Sequence, residues 1–290
     1  MNQSALTRPS EVRKILERMD FRPSKILGQN FLIDQNILNL LLDYADVTKK
    51  DTVLEVGPGL GVVTHALAAK AHRVIAVEKD DRLHRYLSKH LCNEPHIELL
   101  HADILDIFPQ DLPLQNITKV VANLPYSISG RFLTDLCLQK DGPGDIVITV
   151  QKEVADRLAA VPGGKTYGML SVFAQARYEA RVCKTISSSC FLPRPQVQSA
   201  IVHLSRRSNA ELAHVDIPLF QSLVKACFSN RRKQLGTIFD RAPATLHLSR
   251  HDLACELEAL GLQEQDRPEQ VPPKGWLQLT RALQRGVDSA

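Results

Sequence analysis

Three segments of this 290-residue chain carry residue types whose spacing suits chemistry on a nucleoside. The first is Glu55-Val-Gly57-Pro-Gly59-Leu-Gly61, where a β-branched run ends in glycines and a helical pattern begins. Glycines let the backbone turn tightly and approach a ligand without an intervening Cβ. A strand, a glycine turn and a helix N-terminus form the nucleotide cradle of open α/β sheets. The third glycine comes one place earlier than in the G-x-G-x-x-G of dinucleotide binders, with Val62 at the late position. The second feature is a pair of acids. Glu78 closes the next apolar run, twenty-one residues after Gly57, where a carboxylate can accept from both hydroxyls of a ribose. Asp103 follows the run after that, placed to accept from an adenine amine or to cap the following helix. The third is Asn123-Leu-Pro-Tyr126, closing a fourth run. A nucleobase amine is a poor nucleophile because its lone pair is delocalised into the ring. Acceptors around its hydrogens, here the Asn123 amide oxygen and the Leu124 carbonyl turned by Pro125, favour a tetrahedral nitrogen and aim its lone pair. The Tyr126 ring can hold the base by stacking, worth roughly 1–3 kcal/mol, and for that the ring suffices without its hydroxyl. With a sulfonium methyl as electrophile, neither a metal nor an acyl-type nucleophile is needed. An isolated N-L-P-Y reads as an Asx-type turn. At the carboxyl edge of a sheet, after that glycine turn, methyl transfer to an amine is the better reading.

Such groups must be positioned by alternating strands and helices, and the hydrophobic pattern supplies them. Strands are expected at Thr52–Val56, Arg73–Val77, Ile97–His101, Val120–Ala122 and Ile146–Val150. Helices are expected at Val62–Ala69, Asp81–Leu91, Arg131–Leu138 and Lys152–Ala160. Continuously apolar strands alternating with helices indicate a parallel sheet covered on both faces. Ala180–Ile186 and Ser199–Leu204, joined by the Pro-rich turn Phe191-Leu-Pro-Arg-Pro195, should form an antiparallel pair at one edge. Two helical stretches precede the sheet, one carrying Val12, Ile15, Leu16 and Met19, the other Ile37–Tyr44. After Ser205 only helices are expected, near Pro218–Phe228, Leu253–Leu260 and Trp276–Leu283.

Composition narrows the class. Hydrophobic residues at 44% and charged residues at 23% are ordinary for a folded protein and exclude disorder or a coiled coil. No apolar run reaches the roughly eighteen residues of a membrane span. The six cysteines are scattered without a C-x-x-C, which argues against zinc and for reduced thiols in the cytoplasm. The net charge of +4 divides into +3 over residues 1–27, −1 over 28–205 and +2 over 206–290. Positive flanks around a near-neutral middle suit an anionic partner touched by both ends, although solvated surface charge explains such small numbers equally well.

These motifs together closely resemble the small-subunit ribosomal RNA adenine dimethyltransferases and, more distantly, the erythromycin-resistance methylases of large-subunit rRNA. The resemblance runs from about Lys25 to at least Lys233. It adds Gly28-Gln-Asn-Phe-Leu32 as an N-terminal cofactor motif, together with the blocks Gln151–Arg157 and Phe191–Ala200. It implies an α/β, Rossmann-like class I S-adenosylmethionine-dependent methyltransferase sheet, parallel with an antiparallel edge, plus a small C-terminal all-helical domain. The boundaries expected are 1–27 for a basic extension, 28–206 for the methyltransferase domain and 207–290 for a helical RNA-binding domain. By resemblance, Asn30 and Leu32 contact the methionine end of S-adenosylmethionine, and Gly57 and Gly59 let the cofactor cross the turn. Glu78 holds the ribose and Asp103 the adenine, while Asn123 faces both cofactor and target amine. Leu124 and Tyr126 act at the target base, Phe191 covers it opposite Tyr126, and no metal takes part. Arg231, Arg232 and Lys233 bind RNA.

The activity implied is dimethylation of the N6 amines of two adjacent adenosines in a hairpin near the 3′ end of small-subunit (16S) rRNA. It would be carried out by a cytoplasmic monomer within a pre-ribosomal 30S-like particle. Two departures bear on RNA docking: Met169 stands where the family commonly has arginine, and Gln234-Leu-Gly-Thr-Ile follows the basic run without the usual further Arg/Lys and Asn. The rival readings are the large-subunit methylase, an assembly or transcription factor that has lost catalysis, and a nicotinamide dehydrogenase. The helical tail and the Phe191 block disfavour the first, and intact Asn123, Pro125 and Tyr126 disfavour the second. The early third glycine disfavours the third.

Overall fold

A computed structural model describes residues 3–112, 114–208, 212, 214–246 and 248–288. The chain forms two compact units, one of Met1–Ala155 with Ala180–Arg206, the other of Asp156–Glu179 with Arg207–Ala290. In chain order the first unit holds α1 (Gln3–Leu6), α2 (Pro9–Arg18), β1 (Phe31–Leu32), α3 (Gln35–Ala45), β2 (Thr52–Val56) and α4 (Val62–Lys70). It continues with β3 (Arg73–Glu78), α5 (Asp81–Leu91), β4 (Ile97–His101), α6 (Ile104–Ile107), β5 (Lys119–Asn123), α7 (Ser129–Cys137) and β6 (Asp145–Gln151). The chain leaves through α8 (Lys152–Leu158), forms α9 (Met169–Arg177) in the second unit, and returns as β7 (Tyr178–Ile186), β8 (Phe191–Leu192) and β9 (Ser199–Arg206). The second unit is completed by α10 (Ile217–Ser229), α11 (Leu235–Asp240), α12 (Arg250–Glu258) and α13 (Pro273–Asp288).

The main sheet has the order β4-β3-β2-β5-β6-β9-β7. Neighbours from β4 through β6 pair in parallel, and β9 runs antiparallel to β6. Side chains alternate between faces along a strand. Val53, Val74, Val121, Val147 and Ile201 therefore share one buried face, packed in the same core as α2, α3 and α4. Leu54, Ile75, Val120, Ile148 and Val202 are buried on the other. Double coverage explains why these strands read as unbroken apolar runs.

The N-terminal stretch expected as a basic extension contributes Leu6, Val12, Ile15 and Leu16 to that core. The expected turn after Phe191 also differs, because Phe191 and Leu192 form β8 and pair antiparallel with Leu32 and Phe31. The expected boundaries leave residues 156–179 with the sheet, whereas the compact units group them with the C-terminal helices. There α9 packs against α10 and α13, with Phe173 edge-on to Phe220 at 5.6 Å between ring centroids. Trp276, fully buried, lies 5.7 Å from Phe228, and the Tyr167 hydroxyl donates to the Val271 carbonyl at 3.0 Å.

Candidate active site

Parallel strands deliver their carboxyl ends to one edge of the sheet, where open α/β folds bind ligands. Here the ends of β2, β3, β4 and β5 open into one cavity of about 250 Å³. Asn30, Leu32, Gly57, Gly59, Glu78, Asp103, Asn123, Leu124 and Tyr126 all line it. The sequence motifs thus converge from five separate segments.

Two glycines make the convergence possible. Gly57 has φ +68°, and a Cβ there would lie 2.5 Å from the Pro125 ring. Gly28 has φ +66°, and its Cβ would lie 2.7 Å from the Ser127 backbone nitrogen. Any side chain at either position would force the 123–127 loop off its seat.

The cavity is rich in acceptors. The buried Glu78 carboxylate accepts from the Gly59 N–H at 3.1 Å and the Asp80 N–H at 2.8 Å. Burial nevertheless pushes its carboxyl up to about 7. Glu55, one residue before the end of β2, is also buried, and its Oε2 has no hydrogen-bond partner. Burial pushes that carboxyl up to about 8. Asp103 caps α6 through the Leu105 N–H and pairs with the Lys79 ammonium at 2.5 Å. Burial opposes its ionisation, but these partners outweigh it and hold Asp103 below the usual carboxylate range. An ionised carboxylate offers about four lone-pair sites, so Asp103 retains capacity for an incoming donor. Three carboxyl groups along one small cavity, one with an orphaned oxygen, suit a ligand carrying several N–H or O–H donors.

Asn123 is held at both ends. Its Nδ2 donates to the Asn30 carbonyl at 2.8 Å, and its Oδ1 accepts from the Thr149 hydroxyl. The Asn30 side chain turns back and donates to the Gly28 carbonyl at 3.2 Å. Beside it, Gln29 donates to Asp80 at 3.2 Å, tying the N-terminal loop to the end of β3. The Tyr126 hydroxyl is hydrogen-bonded to Ser199 at the start of β9, so the hydroxyl as well as the ring is engaged. Lys79 and Thr149 carry no sequence signal, and Gln29 and Ser199 fall inside matched motifs that give them no role of their own. Neither Lys79 nor Thr149 lies in a glycine turn or closes a strand with an acid.

Phe191, Arg231, Arg232 and Lys233, all expected site residues, lie outside the cavity lining. Phe191 is 1% exposed, belongs to the core and does not line the cavity. Its strand pairing places it opposite Leu32, against β1. Arg231 donates to Glu269 at 2.5 Å and to the Lys165 carbonyl at 2.9 Å, so it also has a structural partner within the helical unit. Arg232 and Lys233 are exposed.

Comparison with known proteins shows the family and the fold. The sequence profile of the ribosomal RNA adenine dimethylase family matches residues 21–283. The ribosomal RNA small subunit methyltransferase A of Opitutus terrae is 40% identical over 285 residues, covering 95% of this chain and 97% of that protein. The protein of the same name from Geobacillus thermodenitrificans is 34% identical over 281 residues, covering 95% and 96%. Among solved structures, a dimethyladenosine transferase from Plasmodium falciparum shares the fold at a TM-score of 0.73, with 24% identity over 87% of this chain and 96% of that one. The 23S rRNA methyltransferase ErmE aligns at a TM-score of 0.64 and 27% identity, covering 88% and 100%. A Rossmann-like methyltransferase sheet, a helical C-terminal part and a match over nearly the whole length place this chain in the ribosomal RNA adenine dimethylase family.

Proposed function

We propose that this protein uses S-adenosylmethionine to dimethylate the N6 amines of two adjacent adenosines in a hairpin near the 3′ end of small-subunit (16S) rRNA, during assembly of the small subunit. The observation that carries the reading is the Asn123–Tyr126 loop, seated against Asn30 and Gly57 at the mouth of a carboxylate-lined cavity. The cofactor fits that lining: its ammonium, ribose hydroxyls and adenine amine are donors, and Glu55, Glu78 and Asp103 are acceptors. Glycine at 57 and 59 would leave room for it to pass, and Asn30 and Leu32 would hold its methionine end.

When bound, S-adenosylmethionine supplies a methyl group already activated by its sulfonium. The chain's own residues then do the positioning. Asn123 Oδ1, with one lone pair committed to Thr149, keeps the other for an amine hydrogen. The Leu124 carbonyl accepts the second hydrogen, and the Tyr126 ring supports the base. A methylated aryl amine is strongly acidic, so its proton leaves to water and no side chain acts as an obligatory base. Catalysis rests on alignment and fixed dipoles.

In this reading the first unit performs the chemistry and the helical unit, with exposed Arg232 and Lys233, helps hold rRNA in a pre-ribosomal particle. The protein acts as a cytoplasmic monomer. Mapping modified adenosines in the rRNA of a deletion strain tests the assignment. Two dimethyladenosines near the small-subunit rRNA 3′ end should disappear and return with the wild-type gene. Their persistence in the deletion strain would refute it.

A further inference from the structure

Asn123 and Tyr126 act on the target base in the function proposed above, but neither is oriented by its own strand alone. The Asn30 carbonyl can only accept, so the Asn123 nitrogen must point to it, which sends Oδ1 to the opposite end of the amide. There it meets the hydroxyl of Thr149, a fully buried residue directly opposite Asn123 on the neighbouring strand. The Thr149 backbone carbonyl also accepts from the Leu124 N–H at 3.1 Å. A β-branched residue in a strand has restricted χ1 freedom, so this hydroxyl is aimed by the backbone.

A second buried hydroxyl repeats the arrangement. Ser199, fully buried at the start of β9 and paired with Gln151 of β6, hydrogen-bonds the Tyr126 hydroxyl. Ordinary sheet packing at these two places would favour apolar side chains like their neighbours Ile148, Val150, Ala200 and Ile201, all fully buried.

We infer that Thr149 and Ser199 are positioning residues that fix the two ends of the base-binding loop from behind, Thr149 setting the amide orientation of Asn123 and Ser199 setting the ring of Tyr126. Neither touches the base. Their removal should slow transfer while leaving the cofactor cavity in place. This inference rests on the proposed function only for its kinetic consequence, not for its geometry.

The test uses the full chain and the variants Thr149→Val, Thr149→Ser, Ser199→Ala, Tyr126→Phe and the Ser199→Ala/Tyr126→Phe double. Thr149→Val should lower the kcat of methyl transfer by about tenfold, the worth of one oriented hydrogen bond, with KM for the RNA particle little changed. Thr149→Ser, which restores a hydroxyl, should recover most of the rate. Ser199→Ala and Tyr126→Phe should each cost about three- to tenfold, and the double variant no more than either, because both break one bond. A second readout needs no activity. In protein labelled with 15N asparagine, solvent exchange of the Asn123 side-chain amide should accelerate in Thr149→Val and not in Thr149→Ser. Unchanged exchange and kcat in Thr149→Val, or additive losses in the Ser199/Tyr126 pair, would overturn the inference. If the wild-type protein transfers no methyl group to the particle, the functional reading fails, and the amide exchange still decides the positioning claim.

Discussion

At the scale of single residues, the site is governed by carboxyl groups held where water would normally solvate them. Burial pushes the Glu78 carboxyl up to about 7, yet in the proposed function only the carboxylate can accept from two ribose hydroxyls while keeping its bonds to Gly59 and Asp80. Cofactor binding should therefore release a proton below neutral pH, and affinity should rise as pH passes upward through about 7. Glu78→Ala should abolish that dependence and weaken binding by about ten- to a hundredfold, the value of a charged hydrogen bond. Calorimetric titrations with S-adenosylmethionine across pH read both effects, and an unchanged dissociation constant would remove Glu78 from the site. Glu55 offers a stability test. Its carboxyl titrates near its ordinary 4.5 in the unfolded chain and near about 8 when folded. Between those values the unfolded state holds fewer protons, so stability falls as pH rises through that window. Glu55→Gln stays neutral, so its melting temperature should gain on wild type at about pH 8 and differ little at about pH 5. Thermal melts at the two pH values check this, and an equal difference at both contradicts it.

At the scale of elements, the question is how loops from different strands come to share one cavity. Gly57 answers part of it. With φ +68° and the Pro125 ring 2.5 Å from any added Cβ, Gly57→Ala should strain its own turn and displace the loop that carries Asn123. Gly163 is a matched control, with φ +79° and nothing within 4 Å of an added Cβ. The left-handed backbone costs an alanine roughly 1–2 kcal/mol at either place, so both variants should melt lower. Only Gly57→Ala should also lose single-turnover methyl transfer. Equal transfer by the two would mean that the close approach is immaterial. Elements of this kind differ in how legible they are. β2 and β4 stand at their expected residues, because unbroken apolar runs between turn residues leave little ambiguity. The glycine turn, Glu78, Asp103 and Asn123 can be read because each closes such a run. α9 cannot be read, because Leu170, Ser171, Val172, Phe173, Ala174 and Ala176 are buried around its circumference and leave no periodic stripe. The two-residue pairing of β1 with β8 has no local signal at all, and the true place of Phe191 is hidden with it. Thr149 and Ser199 are invisible for a similar reason, since a hydroxyl within an apolar strand declares nothing until its partner across the sheet is known.

At the scale of the whole molecule, one chain carries both a unit holding the candidate site and a helical unit bearing exposed cations. Replacing Arg232 and Lys233 with Ala should weaken RNA binding and flatten its dependence on salt, by roughly 0.7–0.9 in log–log slope for each phosphate no longer neutralised. S-adenosylmethionine affinity should not move. Arg231→Ala should behave differently, lowering the melting temperature by freeing Glu269 and the Lys165 carbonyl. Filter binding over a salt series, with melts alongside, separates the two outcomes, and an unaltered slope in the Arg232/Lys233 variant would reduce that pair to solvated surface. The most direct test of the central claim is nucleoside analysis over a time course with the protein in excess of the particles. Purified protein, labelled S-adenosylmethionine and small-subunit particles lacking the modification are incubated, and the rRNA is digested and resolved by mass. The label should appear as N6-methylated and then N6,N6-dimethylated adenosine, and Asn123→Ala should slow it by roughly 10²–10³, as loss of one oriented polar group does at other reaction centres. Label on any other nucleoside, or an Asn123→Ala rate near that of wild type, would contradict the account.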